Sequence, residues 1–130
     1  MSVNAEDFYN SARLNYQQKD EMGFRNCVSR AYYASYHQTL SILTAKIPSY
    51  SGKGVHSCLI TYLLELKHEY EPYDSRKLNQ IGYILKQQKD NRCDADYELN
   101  GETIDCVAAE QALSSFDRVA ALCAKLEQAA

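Results

Sequence analysis

The stretch "FRNCVSRAYYASYHQTLSILTAK", Phe24 to Lys46, contains neither proline nor glycine and keeps one apolar rhythm from end to end. Val28, Tyr32, Tyr36, Leu40 and Leu43 recur at threes and fours, the spacing that puts side chains on one face of an α-helix. Cys27, Ala31, Ala34 and Ser41 form a strip of small residues beside it, along which a second helix can pack closely. A helix apolar or small over so much of its circumference is expected at the centre of a bundle. It also carries Arg30 and His37, seven residues and about two turns apart, on nearly the same face.

Working outward, the same periodicity recurs on both sides. Ala5, Phe8, Ala12 and Tyr16 predict a first helix that Asn4 caps and that ends near Gln18, in the turn around "KDEMG". "IPSYSGKG" reads as a loop. Val55, Leu59, Tyr62, Leu63 and Leu66 predict a third helix stopping near "HEYEPY". A fourth spans about Ser75 to Asn91 with Leu78, Ile81 and Leu85 inward, and the same stripe then reaches Gln88, Arg92 and Asp96. An arginine carried inward needs a partner, because an unpaired buried charge is very costly. "DADYELNGE" is expected to bend at Asn100-Gly101. The last helix, about Thr103 to Glu127, has Ala108, Ala112, Phe116, Val119, Cys123 and Leu126 on one face. No strand pattern emerges, so the expectation is an all-α, antiparallel up-and-down bundle of four to five helices, one domain over residues 1–130.

Composition narrows the function classes. The 130 residues carry a net charge of -3 with no long run of one sign, which excludes broad, nonspecific nucleic-acid binding but leaves room for a pocket that takes a nucleotide or short RNA. "MSVNAEDFYN" has neither the basic nor the apolar segment of a signal peptide, and no stretch approaches the roughly 18 apolar residues of a membrane span. A cytoplasmic protein without a membrane partner is expected. The five cysteines form no C-x-x-C pair and are expected as reduced thiols, several of them buried. "SGKG" lacks the spacing and the preceding strand of a phosphate loop, and no cofactor is expected. His56 and Cys58, two apart, point to different faces of a helix, so no metal site is expected either.

Two polar constellations remain. Arg30, Tyr33 and His37 can bind a phosphate, or stabilise a developing negative charge while the imidazole moves a proton. Equally, they can be internal polar partners of the bundle. Arg92, Asp94, Asp96 and Tyr97 form the second group: an anion site if Arg92 meets Arg30, or a lock between the fourth and central helices if Arg92 pairs with Asp96 four residues on. Cys93, beside Arg92, is a possible nucleophile. Tyr50, Tyr70 and Tyr73 can line a partner surface.

"SRAYYASYH" on the central helix, "KGVH" after the loop and "RCDADY" at the end of the fourth helix together resemble the HEPN domains, in particular the small stand-alone bacterial and archaeal kind. The likeness covers most of the chain. It implies an all-α bundle that usually forms a homodimer, and an association with nucleotidyltransferase partners, toxin–antitoxin pairs and defence systems. Many HEPN proteins are metal-independent ribonucleases that use an arginine and a histidine four to six residues beyond it on a late helix. Here Arg92 is followed by Cys93, and "RCDADYELNGE" contains no histidine; Arg30 and His37 satisfy the loose spacing but lie on the central helix. The resemblance therefore implies a module that binds a nucleotide, RNA or protein partner through Arg30, Tyr33, His37, Arg92, Asp96 and Tyr97. A ribonuclease with His37 as base and Arg30 or Arg92 stabilising the phosphorane is the enzymatic alternative. A purely structural interaction protein is the third.

Overall fold

At four of the five described helix starts a side chain accepts a backbone N–H group. In the computed structural model, which describes residues 2–65 and 71–129, α1 (Ala5–Gln17) opens on a reciprocal cap: Asp7 N–H donates to the Asn4 side chain at 3.1 Å, and Asn4 N–H to the Asp7 carboxylate at 2.8 Å. Lys19 takes the left-handed conformation, φ 58°, and turns the chain. α2 (Glu21–Ile42) then starts three residues before the expected Phe24, because Asp20 accepts the Gly23 N–H at 2.7 Å. Glycine is required at 23: a Cβ there would collide with the Asn15 carbonyl oxygen, so the first two helices nearly touch where they join.

α3 (Val55–Leu64), α4 (Ser75–Tyr97) and α5 (Cys106–Ala129) complete the all-α bundle expected from the pattern, with five helices among the described residues. Leu66 and Tyr70, expected respectively in the third helix and on an exposed surface, lie outside them. No described helix is long and apolar enough to cross a membrane.

Contacts set the directions. Phe8 packs against Tyr33 and His37 while Tyr16 meets Phe24, so α1 and α2 are antiparallel. Arg25 reaches Ala95 and Tyr33 reaches Arg92, so α2 and α4 are antiparallel as well. Ser57 meets Lys89 and Leu63 meets Asn79, which makes α3 antiparallel to α4. The segment 43–54 therefore carries the chain back along α2 before α3 begins, placing His56 beside Tyr32 and Tyr36.

Two apolar clusters hold the helices. The larger joins Tyr32, Leu59, Leu63, Leu78, Ile81, Leu85 and Val119, all buried. The second is built of small residues, Ala12, Cys27, Ala31, Ala95, Ala109 and Ala112, where α1, α4 and α5 converge on α2. Ser41, expected in the small strip, is instead exposed and donates to the Gln38 carbonyl at 2.6 Å, and in α5 it is Ala109 rather than Ala108 that is fully buried.

Two further boundaries depart from expectation. α2 ends at Ile42 rather than near Lys46, because Glu71 draws the next backbone groups away from the helix: its carboxylate accepts from Thr44 N–H at 3.0 Å, Thr44 Oγ1 at 2.8 Å, Ala45 N–H at 3.0 Å and Tyr62 Oη at 2.8 Å. Burial raises the Glu71 pKa, but these donors outweigh it and hold the carboxyl below the usual range. The folded state thus binds this proton less readily than the unfolded chain. Its contribution to stability is present above the ordinary glutamate pKa and lost as pH falls through the depressed one. Glu71→Gln is expected to cost about 1–2 kcal/mol at neutral pH and to flatten the acid limb of thermal stability against pH; an acid limb identical to that of the parent chain would refute this role.

α4 also continues six residues past Asn91, so that "DADY" is helical and the bend begins only after Tyr97. The cause lies on α2. Arg25, 5% exposed, donates from Nη1 to the Ala95 carbonyl at 2.8 Å and the Asp94 carbonyl at 3.4 Å, and from Nη2 to the Glu98 carbonyl at 3.4 Å. The Ala95 carbonyl is one that the helix end leaves without an N–H partner, while those of Asp94 and Glu98 also accept the N–H groups of Glu98 at 3.1 Å and Gly101 at 3.4 Å; the guanidinium adds donors and a positive charge there.

Candidate functional site

The longer α4 keeps the inward stripe in register: Gln88 Nε2 donates to the Ala112 carbonyl of α5 at 3.5 Å, and Arg92 and Asp96 reach the α2 side of the bundle. Tyr33, half-buried on α2, lies 3.1 Å from Arg92 Nη1. Asp96 pairs with the same nitrogen at 3.6 Å and accepts from Ser29 Oγ at 3.1 Å, which ties α4 to α2. The guanidinium also faces three tyrosine rings, with its carbon 5.7 Å from the centroid of Tyr32, 5.5 Å from Tyr33 and 5.9 Å from Tyr97. Burial works against the charge on Arg92, but Tyr33, Cys93, Tyr97 and Asp96 outweigh it, and its pKa lies above the usual value. Its Nε is buried and has no hydrogen-bond partner among the described residues.

α3 supplies the next members of the site. His56, in its first turn, packs its ring 4.2 Å from that of Tyr36, and its Nδ1 lies 2.7 Å from Tyr32 Oη. Tyr32 is fully buried, and burial pushes its phenol far up, with Arg92 opposing; the hydroxyl therefore stays protonated and shares one hydrogen bond with Nδ1, whose direction follows the histidine tautomer. His56 has its pKa lowered by burial first and then by Arg92, Lys89 and His37. Lys89, one turn before Arg92 on α4, donates to Ser57 Oγ at 2.9 Å. No side chain caps the N-terminus of α3 after Gly54, so its first N–H groups add to the positive potential near Ser57.

Of the residues singled out from the sequence, Tyr33, Arg92, Asp96 and Tyr97 come together. Arg30 and His37 face α1 instead. Arg30 is exposed and borders a shallow groove of about 280 Å³ with Val3, Asp7, Phe8 and Ser11. His37 stacks on Phe8 at 5.0 Å and stands edge-on to Tyr36 at 5.1 Å. Phe8 thus flanks both, and an apolar ring borders the face on which a ribonuclease would need arginine and histidine to share one phosphate. Asp94 turns away from Asp96, toward α5. Cys93 lies 3.9 Å from Arg92 Nη2. Of the expected surface tyrosines, Tyr50 and Tyr73 are half-buried, and Tyr73 donates to the Ile42 carbonyl at 2.7 Å. Cys58 diverges from His56: its Sγ contacts Tyr50 N and Lys53 O while the imidazole faces tyrosines.

His56, Lys89, Ser29 and Arg25 were not among the expected site residues. The inward stripe of α4 pointed to Arg92, but His56 and Lys89 join it only once the 43–54 segment has set α3 against α2. Compared with protein-family models, with curated proteins and with solved structures, the chain matches none.

Proposed function

We propose that this chain is a HEPN-type helical binding module that takes the phosphate of a nucleotide or RNA at the face formed by the start of α3 and the middle of α4. The observation that carries the reading is a local excess of positive charge: Lys89 and Arg92 stand beside an uncapped helix start, with Asp96 the carboxylate paired to Arg92. Phosphate groups favour such places, because N–H dipoles and cations act on the same charge. His56, its pKa lowered, adds a neutral imidazole there, and the exposed Tyr97 ring offers a face for a base. The resemblance to HEPN domains supplies the setting: a homodimer working with a nucleotidyltransferase partner in a toxin–antitoxin or defence system.

The test is an NMR titration of isotope-labelled protein with ATP and with a short single-stranded RNA. Shifts at His56, Ser57, Lys89 and Arg92 are expected, together with binding about 10-fold weaker in Lys89→Gln, the effect of losing one well-placed charge. A spectrum unmoved by either ligand, or binding indifferent to that substitution, would overturn the assignment. A second reading is favoured by the Ser29–Asp96–Arg92 chain, which joins two helices and needs no ligand: a structural seam. It predicts that Arg92 matters to stability while nothing binds.

A further inference from the structure

The opposite flank of α4 meets the start of α5 in a groove of about 680 Å³, a volume within the range of ligand-sized clefts. Ile104 and Val107 line it, and Val107 is 51% exposed. Leu99, 71% exposed, lies in the turn between the groove residues Glu98 and Gly101.

Charge identifies the partner. Asp94, Glu98, Glu102 and Asp105 line the same groove, and none of them pairs with a lysine or arginine among the described residues. Arg25, the nearest cation beneath them, is bound through Nε to Glu21 at 2.9 Å and through its other nitrogens to backbone carbonyls. Asp105 uses one oxygen to accept the Ala108 N–H at 3.0 Å and keeps the other. A groove that sets Ile104 and Val107 among four carboxylates without a lysine or arginine partner repels nucleic acid and attracts a chain that brings both apolar and cationic side chains.

We propose that the α4–α5 groove is a docking site for a basic, amphipathic segment of a partner protein, with lysines or arginines on the carboxylates and an apolar side chain against Ile104 and Val107. The site is distinct from the Lys89 and Arg92 face and stands or falls separately from it. The probe is a fluorescein-labelled leucine–lysine amphipathic peptide, with a leucine–glutamate peptide of the same pattern as control, read by anisotropy and by NMR mapping on the whole chain. Binding of the lysine peptide is expected, with perturbations confined to residues 94–111 and affinity that falls as salt rises. Both Glu98→Lys combined with Glu102→Lys, and separately Val107→Asp, are expected to weaken it at least about 10-fold. These positions are exposed, and unchanged circular dichroism of the variants checks that the bundle persists. Absence of binding, equal binding of the glutamate peptide, perturbations elsewhere, or sedimentation showing the groove already filled by a second copy of the chain would each overturn the proposal.

Discussion

Arg25→Met is expected to lower the free energy of unfolding by about 3 kcal/mol, the order found when a buried, hydrogen-bonded charge is removed from its partners. Methionine fills much of the same apolar space, so the loss isolates the guanidinium. The Ala95 carbonyl then lacks its donor, the Asp94 and Glu98 carbonyls keep only the N–H groups of Glu98 and Gly101, and Glu21 loses its partner at 2.9 Å. Glu21 is exposed enough to be rehydrated, whereas the Ala95 carbonyl belongs to a residue only 2% exposed. The damage should therefore be local as well as global: in hydrogen exchange, amides of Ala95 to Glu98 lose protection before those of α1 or α5. A melting temperature lower by about 10 °C is the matching thermal result for a chain of this size. A loss below about 1 kcal/mol would mean that water replaces the guanidinium at the helix end, and that some other feature holds α4 beyond Asn91.

Arg25 also shows where sequence reading stops. Periodicity located all five helices, because each buries a face whose spacing is visible along the chain: Val28, Tyr32 and Tyr36 on α2, or Leu78, Ile81 and Leu85 on α4. The same continuation predicted that Arg92 and Asp96 run inward, and they do. What periodicity does not carry is a partner from another helix. "DADY" has a poor helical pattern of its own, and its helix depends on a cation about seventy residues earlier in the chain. The end of α2 depends likewise on Glu71, reached only across the loop and α3. His56 follows the same logic. Its two-residue spacing from Cys58 argues against a metal site, and its neighbours are decided by where the 43–54 segment lets α3 start. Arg30 and His37 face α1, where Phe8 stacks on His37 and borders the groove that Arg30 lines.

Removing Arg92 separates the two readings of that site through two different observables. Arg92→Ala is expected to destabilise the chain by about 2–3 kcal/mol, somewhat less than a fully buried pair because its side chain retains 12% and that of Asp96 28% of their exposure. The loss combines the bonds to Tyr33 and Asp96 with the contacts to three rings; lysine, a point charge without the planar fork, should restore only part of it. The second observable is His56. Its pKa is held down by burial and next by Arg92, so the folded protein binds that proton less readily than the unfolded chain. Stability accordingly falls as pH drops below the ordinary histidine value and continues to fall until the depressed folded value is passed. In Arg92→Ala the His56 titration, followed by NMR, should move upward, and the slope of stability over this window should shrink. The Tyr32–His56 hydrogen bond remains in the variant, so burial still acts and the shift should be partial. A destabilised Arg92→Ala chain whose His56 titrates unchanged would confine Arg92 to the helix-locking seam with Asp96 and Ser29. An upward shift, with ATP binding weakened alongside, would show guanidinium and imidazole acting on one electrostatic site, as the phosphate-binding reading requires.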